Sequence, residues 1–179
     1  TDIGRAASKM GTRSVLVSCG FMNEAPLKEM CEVIDGIKID LKGYRESFYR
    51  EVCQAELQPV LRSIEQVAAA GTHLEIVNLV VPSLNDDSGE LRALAEWVMA
   101  TLGPDVPLHF SAFHPDFKMT DVPATPRETL RRARELARAE GLRYVFTGNV
   151  HDADGDATLC PSCGQVVIQR DWYRLLQWN

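Results

Sequence analysis

The sequence predicts an α/β fold: an incomplete parallel (β/α) barrel of about five strands over residues 1–148, with a distinct tail over residues 149–179. Short apolar runs typical of strands alternate with longer amphipathic runs typical of helices, as in parallel strands joined by right-handed crossovers. Polar and charged residues come directly after the predicted strands, at the carboxyl end of each one. After Gly148 the composition changes to Asp, Gly and His, which do not form a packed core.

The composition disfavours several classes of function. The chain of 179 residues suffices for one domain and a small appendage, with 45% hydrophobic and 25% charged residues. A net charge of −6 argues against nucleic-acid binding, which needs a basic face. No apolar run reaches the roughly 18 residues of a membrane span. Five cysteines without a secretory signal indicate the reducing cytoplasm.

The first half of the chain alternates between predicted helices and strands, and glycines end two of the helices. Aliphatic residues at 37, 39 and 41 alternate with Lys38, Asp40 and Lys42, which predicts a strand with one apolar and one charged face. The apolar run 74–81, stopped by Pro82, predicts a buried strand. The predicted elements are helix 2–10, strand 14–18, helix 23–33, strand 37–41, amphipathic segment 44–53, helix 56–70 and strand 74–81.

The second half continues the alternation. Asn85 or Asp86 is expected to cap a helix that reaches about residue 101. Pro126 is expected in the first turn of another helix, its favoured helical position. Trp172 and Trp178 in the tail are interpreted as packing residues, because aromatic burial needs no functional cause. The remaining predicted elements are strand 108–113, polar loop 114–125, helix 125–140 and strand 143–147.

Polar and charged residues gather where the predicted strands end. In parallel β/α folds, ligands bind at these carboxyl ends. The charged face of strand 37–41 fits either an exposed sheet edge or a cleft for a polar ligand, and the polar groups at neighbouring strand ends favour the cleft. The residues at these ends are Ser18-Cys19-Gly20, Asp40-Leu41-Lys42, Pro82-Ser83-Leu84-Asn85, His114-Pro115-Asp116 and Gly148-Asn149.

The tail contains two thiols, Cys160 and Cys163, in the sequence Cys-Pro-Ser-Cys-Gly. A Cys-x-x-Cys-Gly turn is typical of half a zinc ribbon, in which two thiolates bind one tetrahedral metal. A complete site needs four ligands, and no other cysteines or histidines form a second pair with metal spacing. Three interpretations stay open: zinc shared with residues outside the pair or the chain, a thiol or disulfide pair without metal, and a redox pair.

Five strand-end segments together resemble the radical S-adenosylmethionine (SAM) enzymes related to the pyruvate formate-lyase activating enzymes, and most of all the AmmeMemoRadiSam system radical SAM enzymes. The resemblance extends along essentially the whole chain. It implies a partial β/α barrel in which a 4Fe–4S cluster reductively cleaves SAM to a 5′-deoxyadenosyl radical, which abstracts hydrogen from a substrate. The segments are VLVSCGFM, IDLKGYRESFYREVC, LVVPSLND, FSAFHPDFKMTD and TGNV…TLCPSCG.

The resemblance also implies which residues contact SAM. Ser18 and Gly20 match a strand end that approaches the carboxylate region of the cofactor. Asp40 and Lys42 match an Asp-Leu-Lys motif near its amino-acid part.

Three further positions match residues that surround SAM in the family. Val77 and Leu79 match residues that pack against the cofactor, and Val77 stands where some relatives have an arginine. His114 matches a histidine that lies beside the cofactor at the end of a later strand.

The sequence lacks the two motifs that hold the cluster and the amino group of SAM in the family. No three cysteines have the spacing Cys-x-x-x-Cys-x-x-Cys, and no Gly-Gly-Glu-Pro-like segment is present. Both motifs belong to the family's first two strands. We therefore expect the chain to be the C-terminal part of a larger enzyme, partnered by the N-terminal half or a protein substrate. Without the three cysteine ligands, we expect no cluster and no activity from the chain as given.

Two other classes of function stay open. One is a β/α-barrel lyase or isomerase that uses Lys42 as an amine and Asp40 as a base. The other is a non-catalytic module whose thiol pair and aromatic tail bind a partner protein. Without the strands that the resemblance places before it, strand 14–18 is expected to be an unpaired edge through which the chain self-associates, unless helix 2–10 or the tail covers it.

Overall fold

Helices alternate with strands along the chain, as the sequence predicts, in a computed structural model that describes all residues from Thr1 to Asn179. No helix combines the length and the apolar character needed to cross a membrane. The helices are α1 (Asp2–Lys9), α2 (Glu24–Cys31), α3 (Glu46–Phe48), α4 (Leu57–Ala69), α5 (Ser88–Leu102) and α6 (Arg127–Ala139), and a π-helical turn spans Tyr49–Cys53.

The strands form two sheets. The first contains β1 (Val15–Ser18), β2 (Gly36–Asp40), β3 (His73–Val80), β4 (Leu108–Ala112) and β5 (Val145–Gly148), arranged in chain order and parallel. The second contains β6 (Thr158–Leu159), β7 (Val166–Asp171) and β8 (Arg174–Trp178), and is antiparallel. The five-stranded parallel sheet agrees with the predicted partial barrel.

The chain divides into two compact units, Thr1–Val77 and Asn78–Asn179. The first unit contains β1, β2 and most of β3, and the second contains the rest of β3 and everything that follows. The tail that the sequence sets apart after residue 148 lies within the second unit, and its separation as a domain stays a prediction.

In the first unit, β2 is paired on both sides. Ile37 lies opposite Leu16 of β1 and Leu74 of β3 in the parallel register. Ile37 and Ile39 are buried, whereas Lys38 and Asp40 on the other face are half-buried. The predicted two-faced strand is therefore present. Each buried isoleucine contributes about 1.5–3 kcal/mol relative to an exposed one.

Strand β1 forms an edge of the parallel sheet, because β2 is the strand beside it. Its residues alternate between exposed and half-buried, and Val15 and Val17 are 71% and 63% exposed. An exposed, uncharged edge of this kind is a template for strand pairing. Self-association through β1 stays a prediction.

In the second unit, Asp87 caps helix α5. Its carboxylate accepts hydrogen bonds from the backbone N–H groups of Gly89 (2.9 Å) and Glu90 (3.2 Å). The predicted cap at Asn85 or Asp86 is wrong, because both side chains are used in the preceding turn. Buried Asn85 accepts from the Val81 N–H at 2.6 Å, and Asp86 accepts from the Ser83 N–H at 2.8 Å.

Helix α6 begins after Pro126, which occupies the capping position and not the predicted first turn. Thr125 is the residue that joins this helix to the sheet. Its hydroxyl donates to the carbonyl of Val80 (2.6 Å) and accepts from the N–H of Phe113 (2.9 Å). The loop 114–125 therefore ends beside the point at which it begins, because Thr125 is bonded to Phe113 at the end of β4.

The tail folds as the small antiparallel sheet β6–β8, of which the sequence analysis identified only the thiol turn. Trp172 and Trp178 are 49% and 72% exposed, so neither is a core residue, although the Trp172 ring packs on His151 and Tyr173. Trp172 lies in the β7–β8 turn with φ 53°, and Trp178 lies on the edge strand β8.

We predict that Asp87→Ala lowers the free energy of unfolding by about 1 kcal/mol, because two N–H groups at the start of α5 lose their acceptor. Urea denaturation followed by circular dichroism measures this change. Glu96→Ala, on the exposed face of the same helix, is the matched control and should change the free energy by less than about 0.5 kcal/mol. Equal losses in the two variants would contradict the assignment of the cap.

Candidate functional site

In the first unit, the ends of β1 and β2 bring together four residues that the sequence assigns to a site. Ser18 pairs with Ile39 in the parallel register, one residue before Asp40. The Ser18 hydroxyl accepts a hydrogen bond from the Gly20 N–H at 3.1 Å, which turns the chain sharply after the strand. Gly20 has φ 70°, and a Cβ there would lie 2.8 Å from the Ile39 side chain. Any other residue would therefore be strained at this position.

Asp40 and Lys42 form an ion pair, with Lys42 Nζ 2.8 Å from Asp40 Oδ2. The two side chains are 26% and 35% exposed, so both keep one side open to solvent. Between them Leu41 is buried, which fixes the backbone of the Asp-Leu-Lys segment. This arrangement presents one cation and one anion side by side, which suits a zwitterionic ligand.

Tyr49, in the π-helical turn, was not identified from the sequence as a site residue. Its hydroxyl oxygen accepts a hydrogen bond from the Lys42 N–H at 3.1 Å, although the ring is buried. Burial raises the pKa of Tyr49 well above its usual range, and the negative charge of Asp40 acts in the same direction. The hydroxyl is therefore a neutral group that holds the backbone of the Asp-Leu-Lys segment.

Cys53, at the end of the same turn, has a thiol beside this cluster. Burial raises its pKa, and the positive charge of Lys42 opposes that effect. π-Helical turns are rare and occur often at functional sites. Here the turn directs Tyr49 and Cys53 toward the end of β2, and only the folded structure reveals this proximity.

The remaining positions that the resemblance assigns to the cofactor have different environments. Val77 is buried and pairs with Asp40 in the register of β2 and β3. In the second unit, Leu79 is half-buried, and its carbonyl accepts a hydrogen bond from the Asn85 amide at 2.9 Å. His114 follows β4 and is exposed.

The end of β5 carries a buried carboxylate that the sequence analysis missed. Asp152 is 2% exposed, accepts from Arg131 Nη2 at 2.7 Å and also accepts from the Thr147 hydroxyl at 3.2 Å. Hydrogen bonding to Arg131 lowers the pKa of Asp152 below its usual value. The polar loop after residue 148 therefore folds back onto β5, which its composition alone does not predict.

The two tail cysteines lie in a tight turn between β6 and β7 and are not joined by a disulfide. The Cys160 N–H donates to the Gln165 carbonyl at 2.8 Å, and the Gly164 N–H donates to the Cys160 carbonyl at 2.9 Å. Hydrogen bonds from the backbone N–H groups of Ser162 and Cys163 lower the pKa of the Cys160 thiol. No group of three or more His, Cys, Asp or Glu side chains is arranged to hold a metal ion, so the predicted half zinc ribbon remains a pair of thiols.

No known family model matches the chain. Two curated proteins are similar to it. An uncharacterized protein of Methanocaldococcus jannaschii is 43% identical over 169 residues, which are 94% of this chain and 50% of that protein. The benzylsuccinate synthase activating enzyme of Thauera aromatica is 26% identical over 181 residues, covering 91% of this chain and 54% of the enzyme. The chain thus spans about half the length of these relatives.

Solved structures define the class of fold. A domain of a pyruvate-formate lyase-activating enzyme from Bacteroides vulgatus superposes with a TM-score of 0.72 at 18% identity, covering 83% of this chain and 88% of that domain. SuiB of Streptococcus suis bound to S-adenosylmethionine gives a TM-score of 0.67 at 9% identity, covering 84% of this chain and 36% of SuiB. A radical SAM methyltransferase from Sphaerobacter thermophilus gives 0.64 at 11% identity, covering 88% and 46%. The chain therefore has the fold of radical SAM enzymes.

We predict that the Asp152 carboxylate stabilises the protein in a pH-dependent way. Its pKa is lower in the folded state than the ordinary value of about 3.9, so its contribution is present above that value and is lost as the pH falls through the folded pKa. Asp152→Asn should therefore destabilise the protein clearly at pH 7 and much less at pH 3.

Urea denaturation midpoints of the wild type and the variant at both pH values measure this difference. Asp154→Asn, an exposed neighbour, is the matched control, and its effect should be small at both pH values. A destabilisation by Asp152→Asn that is the same at pH 3 and pH 7 would refute the assigned role.

Proposed function

We propose that this chain forms part of a radical SAM enzyme resembling the pyruvate formate-lyase activating enzymes, in which it supplies one wall of the cofactor site. The observation that carries the proposal is the Asp40–Lys42 ion pair at the carboxyl end of β2, within a fold shared with radical SAM enzymes. When bound and reductively cleaved, SAM supplies a radical that abstracts hydrogen from a substrate. The similarity to an activating enzyme over 91% of the chain supports the same class.

The residues of the first unit fit the amino-acid part of SAM. Lys42 offers an ammonium to a carboxylate, and Asp40 offers a carboxylate to an ammonium, at a mutual distance of 2.8 Å. Gly20 packs directly on the Ile39 side chain, which holds the turn after β1 close to the end of β2. In the proposal, Ser18 and Gly20 contact the same end of the ligand, and Val77, which pairs with Asp40, lies beside it. The roles of Leu79 and His114 stay predictions from the resemblance.

The residues of the chain do not fit a 4Fe–4S cluster. A cluster of the family's kind needs three cysteine thiolates close together. Cys19, Cys31 and Cys53 lie on different elements, and no set of three suitable side chains is grouped anywhere in the chain. We therefore assign cluster binding to residues outside this chain, and we propose that the chain alone has no radical activity.

A lyase or isomerase that forms a Schiff base through Lys42 is a second candidate, but the geometry favours it less. A nucleophilic lysine must be neutral, which requires desolvation or a neighbouring cation. Lys42 is instead a third exposed, and its Nζ lies 2.8 Å from the Asp40 carboxylate, so it is not desolvated.

We predict that SAM binds weakly to this chain through its amino-acid part. In a nuclear magnetic resonance titration, SAM and S-adenosylhomocysteine should shift the amide signals of Ser18, Gly20, Asp40 and Lys42, whereas adenosine should not. Lys42→Met should weaken binding at least about tenfold, because a charge-assisted hydrogen bond is worth about 1.5–3 kcal/mol. Lys28→Met, exposed on α2, is the matched control. Shifts confined to other residues would contradict the proposal.

We predict that anaerobic reconstitution with iron and sulfide does not produce a 4Fe–4S cluster on this chain. Visible absorption and the iron content per chain measure the result. Any iron held by the tail thiols should disappear in Cys160→Ser, which separates that binding from a true cluster. A stable cluster with about four irons per chain would contradict the prediction that this chain lacks the ligands for a cluster.

A further inference from the structure

Helix α6 carries Arg131, Arg134 and Arg138 on the side next to the loop that follows β5, at the spacing of residues that share one side of a helix. Only Arg131 has an acidic partner, because it pairs with the buried Asp152 carboxylate at 2.7 Å. The Nε of Arg134 donates to the Val145 carbonyl at 2.9 Å, and no carboxylate of the chain forms an ion pair with Arg134 or Arg138. Two neighbouring guanidinium groups therefore remain without an ion-pair partner.

Arg134 and Arg138 line a cavity of about 360 Å³ in the second unit. The cavity lies between α6, the loop after β5 and the small antiparallel sheet. The rest of its wall includes one carboxylate and three apolar side chains, which belong to Asp154, Ala157, Leu159 and Val166. A cavity of this volume is at the lower end of the range for sites that bind small molecules.

The loop that forms part of this cavity is held in place by its surroundings. At its start, the buried Asp152 carboxylate holds the loop to α6. Further along, the Thr147 N–H of β5 donates to the Gly155 carbonyl at 3.2 Å, and the Gln169 amide of β7 donates to the Ala153 carbonyl at 2.9 Å. Because these bonds fix the wall of the cavity, a ligand does not have to order it on binding.

We propose that this cavity binds a small organic carboxylate. In the proposal, the guanidinium groups of Arg134 and Arg138 donate hydrogen bonds to the carboxylate of the ligand, and the apolar part of the ligand lies against Leu159 and Val166. An arginine side chain presents its N–H groups in a planar fork that matches a carboxylate. The proposal concerns residues of the second unit alone, goes beyond the proposed function and does not depend on it.

The charges that line the cavity favour a ligand with a single negative charge. Arg134 and Arg138 are positive and Asp154 is negative, so one carboxylate makes the site neutral, whereas a doubly charged phosphate monoester would leave it negative. Arg134 is half-buried, and a charge that is partly removed from water is costly unless it is paired. An anion between the two guanidinium groups also offsets the repulsion between like charges four positions apart on a helix.

The test is a nuclear magnetic resonance titration of the full chain with hexanoate, a carboxylate with a short apolar chain. We expect it to shift the amide signals of Ala153, Asp154 and Leu159, and to bind more weakly as the salt concentration rises. Hexanol, which lacks the charge, and inorganic phosphate, which lacks the apolar part, should each bind at least about tenfold more weakly. Arg134→Met should weaken hexanoate binding about tenfold, and Arg138→Met, at a more exposed position, about threefold. Arg132→Met, which removes the same charge from the same helix outside the cavity, is the matched control.

Asp154→Asn is a variant in which binding should improve. Removing this carboxylate makes the cavity more positive, so hexanoate should bind about two- to fivefold more tightly, and a gain of this kind cannot come from damage to the fold. Equal weakening by Arg138→Met and Arg132→Met would overturn the proposal, because it would show only a general effect of net charge. The proposal would also be overturned if hexanoate did not bind to the wild type, or if inorganic phosphate bound as tightly as hexanoate.

Discussion

Parallel pairing is the constraint on which the arrangement of this chain depends. Because adjacent strands run in the same direction, whatever follows each strand collects at one edge of the sheet. In the first unit, the register of β1 and β2 sets Ser18 beside Ile39 and so brings the Gly20 turn next to Asp40. In the second, β4 and β5 are paired in the same way, and Asn149 hydrogen-bonds back to the Ala112 carbonyl. At each of these two strand ends, residues from segments that are far apart in the sequence therefore lie side by side.

The sequence was sufficient to predict the parts of the fold that depend on periodicity. The alternation of residues 37–41 and the continuous apolar run after His73 correspond to β2 and β3, since their side chains need only a buried face and no particular partner. Element ends were predicted less well. The cap of α5 is Asp87 and not Asn85, because three consecutive polar residues could each serve, and backbone geometry decides among them.

Only the part of the candidate site that is formed by residues close together in the sequence could be predicted. Asp40 and Lys42 are two apart, so a strand places them on one side. Tyr49 and Asp152 escaped notice because their partners are Lys42 and Arg131, seven and 21 positions away. The exposed indoles of the tail were expected to pack because large aromatic side chains are usually buried, but the sequence does not show which surface of the tail other elements cover.

The buried hydroxyl of Tyr49 also limits the alkaline tolerance of the first unit. Because its pKa is raised in the folded state, the unfolded chain loses this proton above about pH 10 while the folded chain retains it. Folding is therefore progressively penalised as the pH rises beyond that value. Deprotonation would create a buried phenolate near the negative charge of Asp40, where little water can screen the two charges. The group that holds the Asp-Leu-Lys segment at neutral pH thus makes this segment sensitive to strong base.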